Sequence, residues 1–202
     1  YYTLPFALAI TVFIVKKFAP SAQGHGTEKV IEAVHKNSGK INISVVPTKL
    51  FATVLTIFAG GSVGKEGPGA QIGASLASFI AMKLNFSNRD RKKIVICGIS
   101  AGFASVFGTP LAGAIFGVEI LIVGALMYDI LLPSIVAGFS AFLVAKMFGI
   151  NYTYFYIAFY SSFDFNYVLL SKVILGGIFF GLVADFIITT LSTLHKYVDK
   201  IK

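Results

Sequence analysis

Residues 60–73, GGSVGKEGPGAQIG, interrupt an otherwise apolar chain. Glycines and a proline break the helical pattern there, and Lys65 and Glu66 place two opposite charges at the break. Charged side chains inside a membrane are costly and by default mark a functional site. The stretch therefore raises the question of why an apolar chain breaks its helix at an acid.

The composition is that of a membrane protein. Of the 202 residues 56% are hydrophobic and only 13% are charged, whereas a soluble domain carries about 25% charged residues. The mean hydropathy is +0.81. The net charge of +8 is scattered, without the basic stripe and interleaved aromatics of a nucleic-acid-binding protein, so no nucleic acid partner is expected. The cations instead favour a role in membrane orientation.

Cysteine and histidine usage indicates no disulfide and no metal site. Cys97 is the single cysteine, and no Cys/His ligand spacing occurs. Neither a metal nor another cofactor is expected. The chain starts inside an apolar run without an initiator Met, from which we expect it to be a fragment or a chain whose start has been removed.

Apolar runs separated by Gly and Pro predict an all-α membrane protein. Many of the runs are shorter than the roughly 20 residues that cross a bilayer, which predicts broken and re-entrant transmembrane helices. Non-helical backbone at membrane depth survives only against protein or a water-filled cavity. The breaks fall at 24–27, 60–68 and 107–110, and no linker is visible, so 1–202 is expected to form a single membrane domain. The predicted helices are 1–18, 27–37, 46–59, 67–84, 91–106, 110–125, 130–148 and 168–197.

Pairs of small residues four positions apart predict close helix packing. Gly69/Gly73 and Ala70/Ala74 overlap on one predicted helix, and Gly177/Gly181 lie on the last. Such pairs let membrane helices approach closely.

The Gly64-Lys65 pair superficially resembles a phosphate-binding loop, but the pattern fails. A Walker A motif requires a glycine where Ala59 stands and Ser or Thr where Glu66 stands. The physical principle still applies, since a helix N-terminus presents unpaired N–H groups to an anion. Pro68 fits a first helical turn. The stretch therefore predicts an anion site at a helix start.

Other helix starts follow the remaining two breaks. Thr27 is a candidate cap for the helix after GHG, and Thr109-Pro110 is the candidate start of a third. Broken membrane helices whose N-termini face an anion are a known transporter device.

Two interpretations of Glu66 remain open. Its carboxylate could occupy the anion's place and act as a gate that opens when it is protonated or moves away. Alternatively, it is a helix-start charge paired with Lys65.

The sequence here resembles a family, the CLC chloride channels and chloride/proton exchangers, over about residues 20–125. GKEGPGAQIG resembles the family signature G-[KR]-E-G-P, and FGTPLAGAIFGVEI is similar to N-x-P-L-A-G-x-x-F-x-x-E-E. VPTKLF is similar to the helix before the glutamate motif, and GHGTEKVIEAV stands where the family has G-S-G-I-P-E. The resemblance implies the first inverted repeat of a CLC-type pore.

The family's functional residues carry over onto matching positions only. Glu66 matches the gating glutamate. The implied anion-binding residues are Gly64, Lys65, Glu66, Gly67 and Pro68 at the outer helix start, and Gly24, His25 and Gly26 in the inner loop.

Three departures from the family pattern affect the functional expectations. His25 replaces the family's serine, which leaves the anion preference open. Ile120 stands at the exchangers' inner proton glutamate and only Glu119 remains, which favours weak or absent proton coupling. The second inverted repeat lies outside this sequence.

The resemblance implies transport of a small anion, chloride above others, rather than enzymatic activity. A chloride/proton antiporter with a non-standard inner proton path and a non-transporting structural repeat are the alternatives. The implied setting is a multi-pass protein of the plasma membrane, surrounded by lipid and forming a homodimer. Catalytic motifs of membrane enzymes are not found.

Overall fold

The computed structural model describes residues 3–120, 128–153 and 166–201. The described chain contains helices and no strand. It divides into two compact units, Tyr1–Thr153 and Tyr154–Lys202, each of which is treated by itself. The helices are α1 (Leu4–Phe18), α2 (Thr27–Lys36), α3 (Val45–Phe58), α4 (Glu66–Lys83), α5 (Asn88–Phe107), α6 (Pro110–Glu119), α7 (Tyr128–Met147) and α8 (Tyr167–Ile201), with a 3-10 turn at Pro20–Ala22.

The predicted helices are confirmed, with ends that differ by a few residues. The predicted end of the helix 110–125 lies outside the described residues. All three predicted breaks separate helices. The single membrane domain remains a prediction.

Local chemistry fixes the ends of α5, the central helix of the first unit. Ser87 Oγ accepts a hydrogen bond from the Asp90 amide at 3.2 Å and donates one to the Asp90 carboxylate at 2.6 Å. This arrangement satisfies an otherwise unpaired helix-start amide. The helix ends at Gly108, whose φ of 71° is left-handed. A glycine there ends the helix without steric cost, which allows Pro110 to start α6 nearby.

Helices α4 and α5 cross with their backbones in contact. A Cβ at Gly73 would overlap the Gly98 carbonyl oxygen, and one at Gly102 would overlap the Gly69 carbonyl oxygen. The predicted packing role of Gly69 and Gly73 is therefore confirmed. Ala70 and Ala74, also on α4, are fully buried. At Gly177 and Gly181 of α8, no described atom lies within 4 Å of a Cβ position.

Glycines also bring α6 and α7 close to this pair. Gly117 of α6 lies against the Ser100 hydroxyl, and a Cβ at Gly138 of α7 would stand 2.7 Å from the Pro110 carbonyl oxygen. Helix α5 consequently contacts α4, α6 and α7. Without a water-driven hydrophobic effect between membrane helices, such close approach supplies packing energy.

Two described helices are long and apolar enough to cross a membrane, namely Tyr128–Met147 and Tyr167–Leu194. The apolar helices Val45–Phe58 and Pro110–Glu119 are shorter. The mixture of long and short apolar helices is the pattern that the sequence predicts.

Replacing Gly73 by valine should destabilise the intact protein by about 1–3 kcal/mol, because the new side chain must displace the α5 backbone. The midpoint of thermal unfolding in detergent measures this. Leu76→Ala is the matched control, since Leu76 is an exposed residue of the same helix. It should shift the midpoint much less, and equal shifts would contradict a close-packed crossing.

Candidate functional site

The start of α4 leaves amide groups unpaired. Glu66 is the first residue of the helix, and Pro68 lies in the first turn as predicted. The Gly69 amide donates to the Lys65 carbonyl at 3.0 Å, which is the first bond of the helix. Within the described residues, the Glu66 and Gly67 amides donate to no protein acceptor. These N–H groups and the positive end of the helix dipole form a potential anion site.

The segment before α2, residues 20–26, is here named the inner segment, and it contributes a second set of free amides from Gly24 onward. Gly24 and Gly26 have φ values of 81° and 99°, which side-chain-bearing residues rarely adopt. Gly26, rather than the predicted Thr27, is the N-cap. The Val30 amide donates to the Gly26 carbonyl at 3.1 Å. Among described atoms, the amides of Gly24 through Lys29 have no acceptor.

The two helix starts touch each other. The His25 carbonyl oxygen lies directly against Gly67, where any Cβ would overlap it. Only glycine therefore permits this contact. The structure thus brings together the predicted outer and inner groups of residues, Gly64–Pro68 and Gly24–Gly26.

Lys49 of α3 holds the inner segment from one side. Its Nζ donates to the Ala22 carbonyl at 2.9 Å and to the Gly24 carbonyl at 2.7 Å. Because these carbonyl oxygens are engaged by the ammonium, the neighbouring N–H groups remain the polar groups available to a ligand.

The Lys49 charge is buried without a counter-ion. The residue is 6% exposed and forms no ion pair with any described carboxylate. An uncompensated buried charge is strongly unfavourable, and a bound anion would offset it. The lysine therefore adds a positive charge to a site already rich in N–H donors.

A cavity of about 670 Å³ opens at these helix starts. It is lined by the inner segment, by the start of α4 and by parts of α1, α3 and α6. Its polar walls consist mainly of hydroxyl and ammonium groups, from Thr11, Thr27, Thr53, Thr56, Ser62, Lys16 and Lys49. His25 and Glu66 line the same cavity. Its chemistry suits a small anion rather than a cation.

The side chains of Lys65 and Glu66 point to different places. The Glu66 carboxylate lies over Gly64 at the cavity. Lys65 Nζ lies 3.4 Å from the Val106 carbonyl and 5.4 Å from the centre of the Phe107 ring. The predicted Lys65–Glu66 ion pair is not among the ion pairs of the described residues. Lys65 instead stabilises the C-terminal end of α5, where a cation is favourable.

Helix α6 presents its C-terminal end to the cavity. Phe116 and Ile120 line it, whereas Glu119 is exposed and does not. The predicted third helix start, Thr109-Pro110, begins α6 as expected but does not line this cavity.

Among the described residues of the first unit, Glu66 is the one acid that lines the cavity. Glu32 of α2 pairs with Lys29 at 3.2 Å and with Lys36 at 3.5 Å, and these lysines lower the pKa of its carboxyl group. Asp129 pairs with Lys93 at 2.6 Å. Among the described residues, no group of three His, Cys, Asp or Glu side chains could hold a metal ion.

The sequence analysis missed two residues of this site. Lys49 appears in the sequence only as one of many cations, although its position within an apolar helix was a usable signal. Gln71 is 1% exposed and donates from Nε2 to the Ser21 carbonyl at 3.0 Å. No sequence signal connects Gln71 with residue 21.

The fold and the site define an α-helical membrane protein built around paired helix starts. Residues 7–202 match the family described as "Voltage gated chloride channel". The chain belongs to this family of CLC-type, integral membrane anion channels and transporters.

The relatives of this chain include one named as a channel and one named as an exchanger. The "Chloride/fluoride channel protein" of Pseudomonas syringae pv. tomato is 36% identical over 87% of this chain and 38% of its own length. The "H(+)/Cl(-) exchange transporter ClcA" of Salmonella arizonae is 32% identical over 53% of this chain and 23% of its own.

A solved structure shares the fold. The "Crystal structure of a CLC-type fluoride/proton antiporter" matches with a TM-score of 0.81 and 27% identity, over 90% of this chain and 45% of that chain. The chain thus spans less than half the length of these relatives.

Replacing Lys49 by methionine should weaken halide binding to the intact protein by at least about tenfold, because the positive charge at the cavity is removed. Calorimetric titration with halide measures the change. Lys36→Met removes the same charge from the exposed face of α2 and should leave the affinity nearly unchanged. Equal losses in the two variants would contradict a local role for Lys49.

Proposed function

We propose that this chain supplies the anion-binding half of a CLC-type pathway that carries small monovalent anions, such as chloride, across a membrane. The observation that carries the proposal is the Lys49 ammonium, which is buried, pairs with no described carboxylate and binds the carbonyls of Ala22 and Gly24 at the wall of the cavity. A cavity with only neutral N–H donors could hold water, whereas the buried Lys49 ammonium, without a described carboxylate partner, favours binding of an anion.

Glu66 is proposed as the gate of this pathway. Its carboxylate lies at the same cavity as the free amides of the α4 start, so it competes with an anion for the same positive potential. Protonation removes its charge and this competition. Its position also argues against a non-transporting structural repeat, which has no use for an acid at the anion site.

The identity of the anion is proposed from the site and from the relatives. Unpaired N–H donors bind any small halide, and the names of two of the similar proteins include fluoride. Chloride is the principal proposed ion, and fluoride is a second candidate. His25, at the inner segment, places an imidazole at the cavity, whose N–H donates and whose unprotonated nitrogen accepts, where the family pattern has a hydroxyl.

Channel activity is proposed over proton-coupled exchange. Ile120, which cannot carry a proton, lines the cavity, and Glu119 beside it does not. One residue along a helix turns the side chain by about 100°, which explains why the neighbouring acid does not replace it. Exchange remains the second candidate function, favoured by the likeness to a fluoride/proton antiporter.

The proposal includes the setting of the whole protein. The rest of the pathway is contributed by sequence beyond this chain, in a multi-pass homodimer of the plasma membrane surrounded by lipid. Transport requires no resident cofactor and no metal, and the protein is not an enzyme.

Replacing Glu66 by glutamine should give anion flux that depends less on pH than that of the wild type. Wild-type flux should rise as pH falls, because protonation neutralises the Glu66 carboxylate, whereas glutamine is neutral throughout. Anion efflux from liposomes holding the intact protein, recorded over a pH series, measures this. Glu32→Gln, a surface control on α2, should keep the wild-type profile. A Glu66→Gln profile that tracks the wild type would refute the gate.

Proton movement should be weak or absent during anion efflux through the intact protein. The reason is that the aliphatic Ile120, just past the end of α6, lines the cavity, whereas the protonatable Glu119 beside it does not. Simultaneous recording of anion efflux and proton uptake in liposomes under an anion gradient tests this. Uphill proton movement at a fixed ratio to the anion would establish exchange and contradict the channel proposal.

A further inference from the structure

Gln71 connects the two helix starts without lining the cavity. It lies in the second turn of α4, past Glu66 and Gly67 on the same helix, and is 1% exposed. Since it is absent from the cavity wall, it does not contact an anion held there. Its effect on the site must act through the residues that it touches.

The carboxamide of Gln71 contacts both ends of the inner segment. Its Nε2 donates to the Ser21 carbonyl at 3.0 Å. Its Oε1 lies against Gly26, where a Cβ would come within 2.7 Å. A single side chain of α4 therefore contacts residues on both sides of Gly24 and His25.

The Oε1 contact concerns the unpaired carboxamide oxygen of Gln71 and the requirement for glycine at position 26. Among described side chains, this oxygen is the one buried polar atom that lacks a hydrogen-bond partner. Gly26 faces this oxygen, because a Cβ built at Gly26 would stand 2.7 Å from it. Gly26 must consequently be glycine both for its φ of 99° and to leave room for the carboxamide.

Gln71 and Lys49 hold the inner segment from different helices. Lys49 of α3 binds the carbonyls of Ala22 and Gly24, while Gln71 of α4 binds at Ser21 and Gly26. The Gln71 contacts are side-chain contacts that join the segment to α4, the helix that carries the Glu66 and Gly67 amides. The His25 carbonyl adds a backbone contact at Gly67. The separation between the two amide groups therefore depends on this side chain together with the His25–Gly67 contact.

We propose that Gln71 is a positioning residue that fixes the spacing between the inner-segment amides and the α4 amides, and so sets the size of halide that the site prefers. This inference rests on the proposed anion transport. A fixed spacing favours one ionic radius over another, whereas a loosened inner segment adapts to several. Loss of the Gln71 contacts should then change selectivity as well as stability.

The test compares Gln71→Met and Gln71→Asn with Ser78→Ala in the intact protein. Methionine keeps the length but not the hydrogen bond, and asparagine is too short to reach both ends. Ser78 is the matched control, because it is a fully buried side chain of α4 that ties down a different segment. Its Oγ donates to the Gly39 carbonyl at 2.7 Å and accepts from the Ile41 amide at 2.9 Å, away from the cavity.

The decisive measurement is the ratio of fluoride, chloride and bromide fluxes from liposomes, with thermal unfolding recorded alongside. All three variants should lower the unfolding midpoint. The Gln71 variants should change the flux ratio by about threefold or more, the scale of one buried hydrogen bond in an equilibrium, while Ser78→Ala keeps the wild-type ratio.

Each other outcome has a definite meaning. Unchanged flux ratios in folded Gln71 variants would overturn the positioning role. Failure of both Gln71 variants to fold, when Ser78→Ala folds, would assign Gln71 to folding alone and equally overturn it. Absence of flux from the wild type itself would contradict the proposed transport, which distinguishes that failure from a failure of this inference.

Discussion

The contact between the His25 carbonyl and Gly67 is the constraint on which the site depends. It fixes two helix starts against each other at a distance that no residue with a Cβ permits. Two further features of the site accompany this contact, the hydrogen bonds of Lys49 and the backbone of the inner-segment glycines. Lys49 engages the nearby carbonyls, and the glycines of the inner segment supply the left-handed backbone that exposes its amides. Glycines likewise allow direct backbone contact at the crossing of α4 and α5.

The helices and their breaks could be predicted from the sequence because the signals are local. Pro68 in a first turn, Pro110 after Gly108, and glycines at 24 and 26 each act through the conformation of their own backbone. The packing glycines Gly69 and Gly73 were likewise predictable, since their spacing places them on one face of a helix. The motif around Glu66 identified the region of the site for the same local reason.

The partners of the buried polar side chains could not be predicted. Lys49 and Gln71 bind carbonyls that lie far away in the sequence, and carbonyl acceptors carry no residue signature. For Lys65, the motif could be recognised in the sequence but the direction of the side chain could not. Its place in the motif suggested a role at the anion, but its ammonium lies at the end of α5 beside Phe107, because that helix end attracts a cation. The direction of a side chain depends on the neighbouring helix, and a local sequence pattern carries no information about that helix.

The main-chain origin of the free donors has a consequence for how such a site can diversify. An N–H group is common to every residue except proline, so these donors offer no side-chain chemistry to vary, and Gly24, Gly26 and Gly67 are restricted to glycine by conformation or space. Tuning must come from the layer behind them, through side chains that shift the backbone by fractions of an ångström. In such a protein, the ion preference changes through substitution of the side chains that hold the backbone, while the N–H donors that bind the ion stay the same. Differences in selectivity between similar pores are therefore best sought among residues that contact the donor-bearing backbone and not the ion.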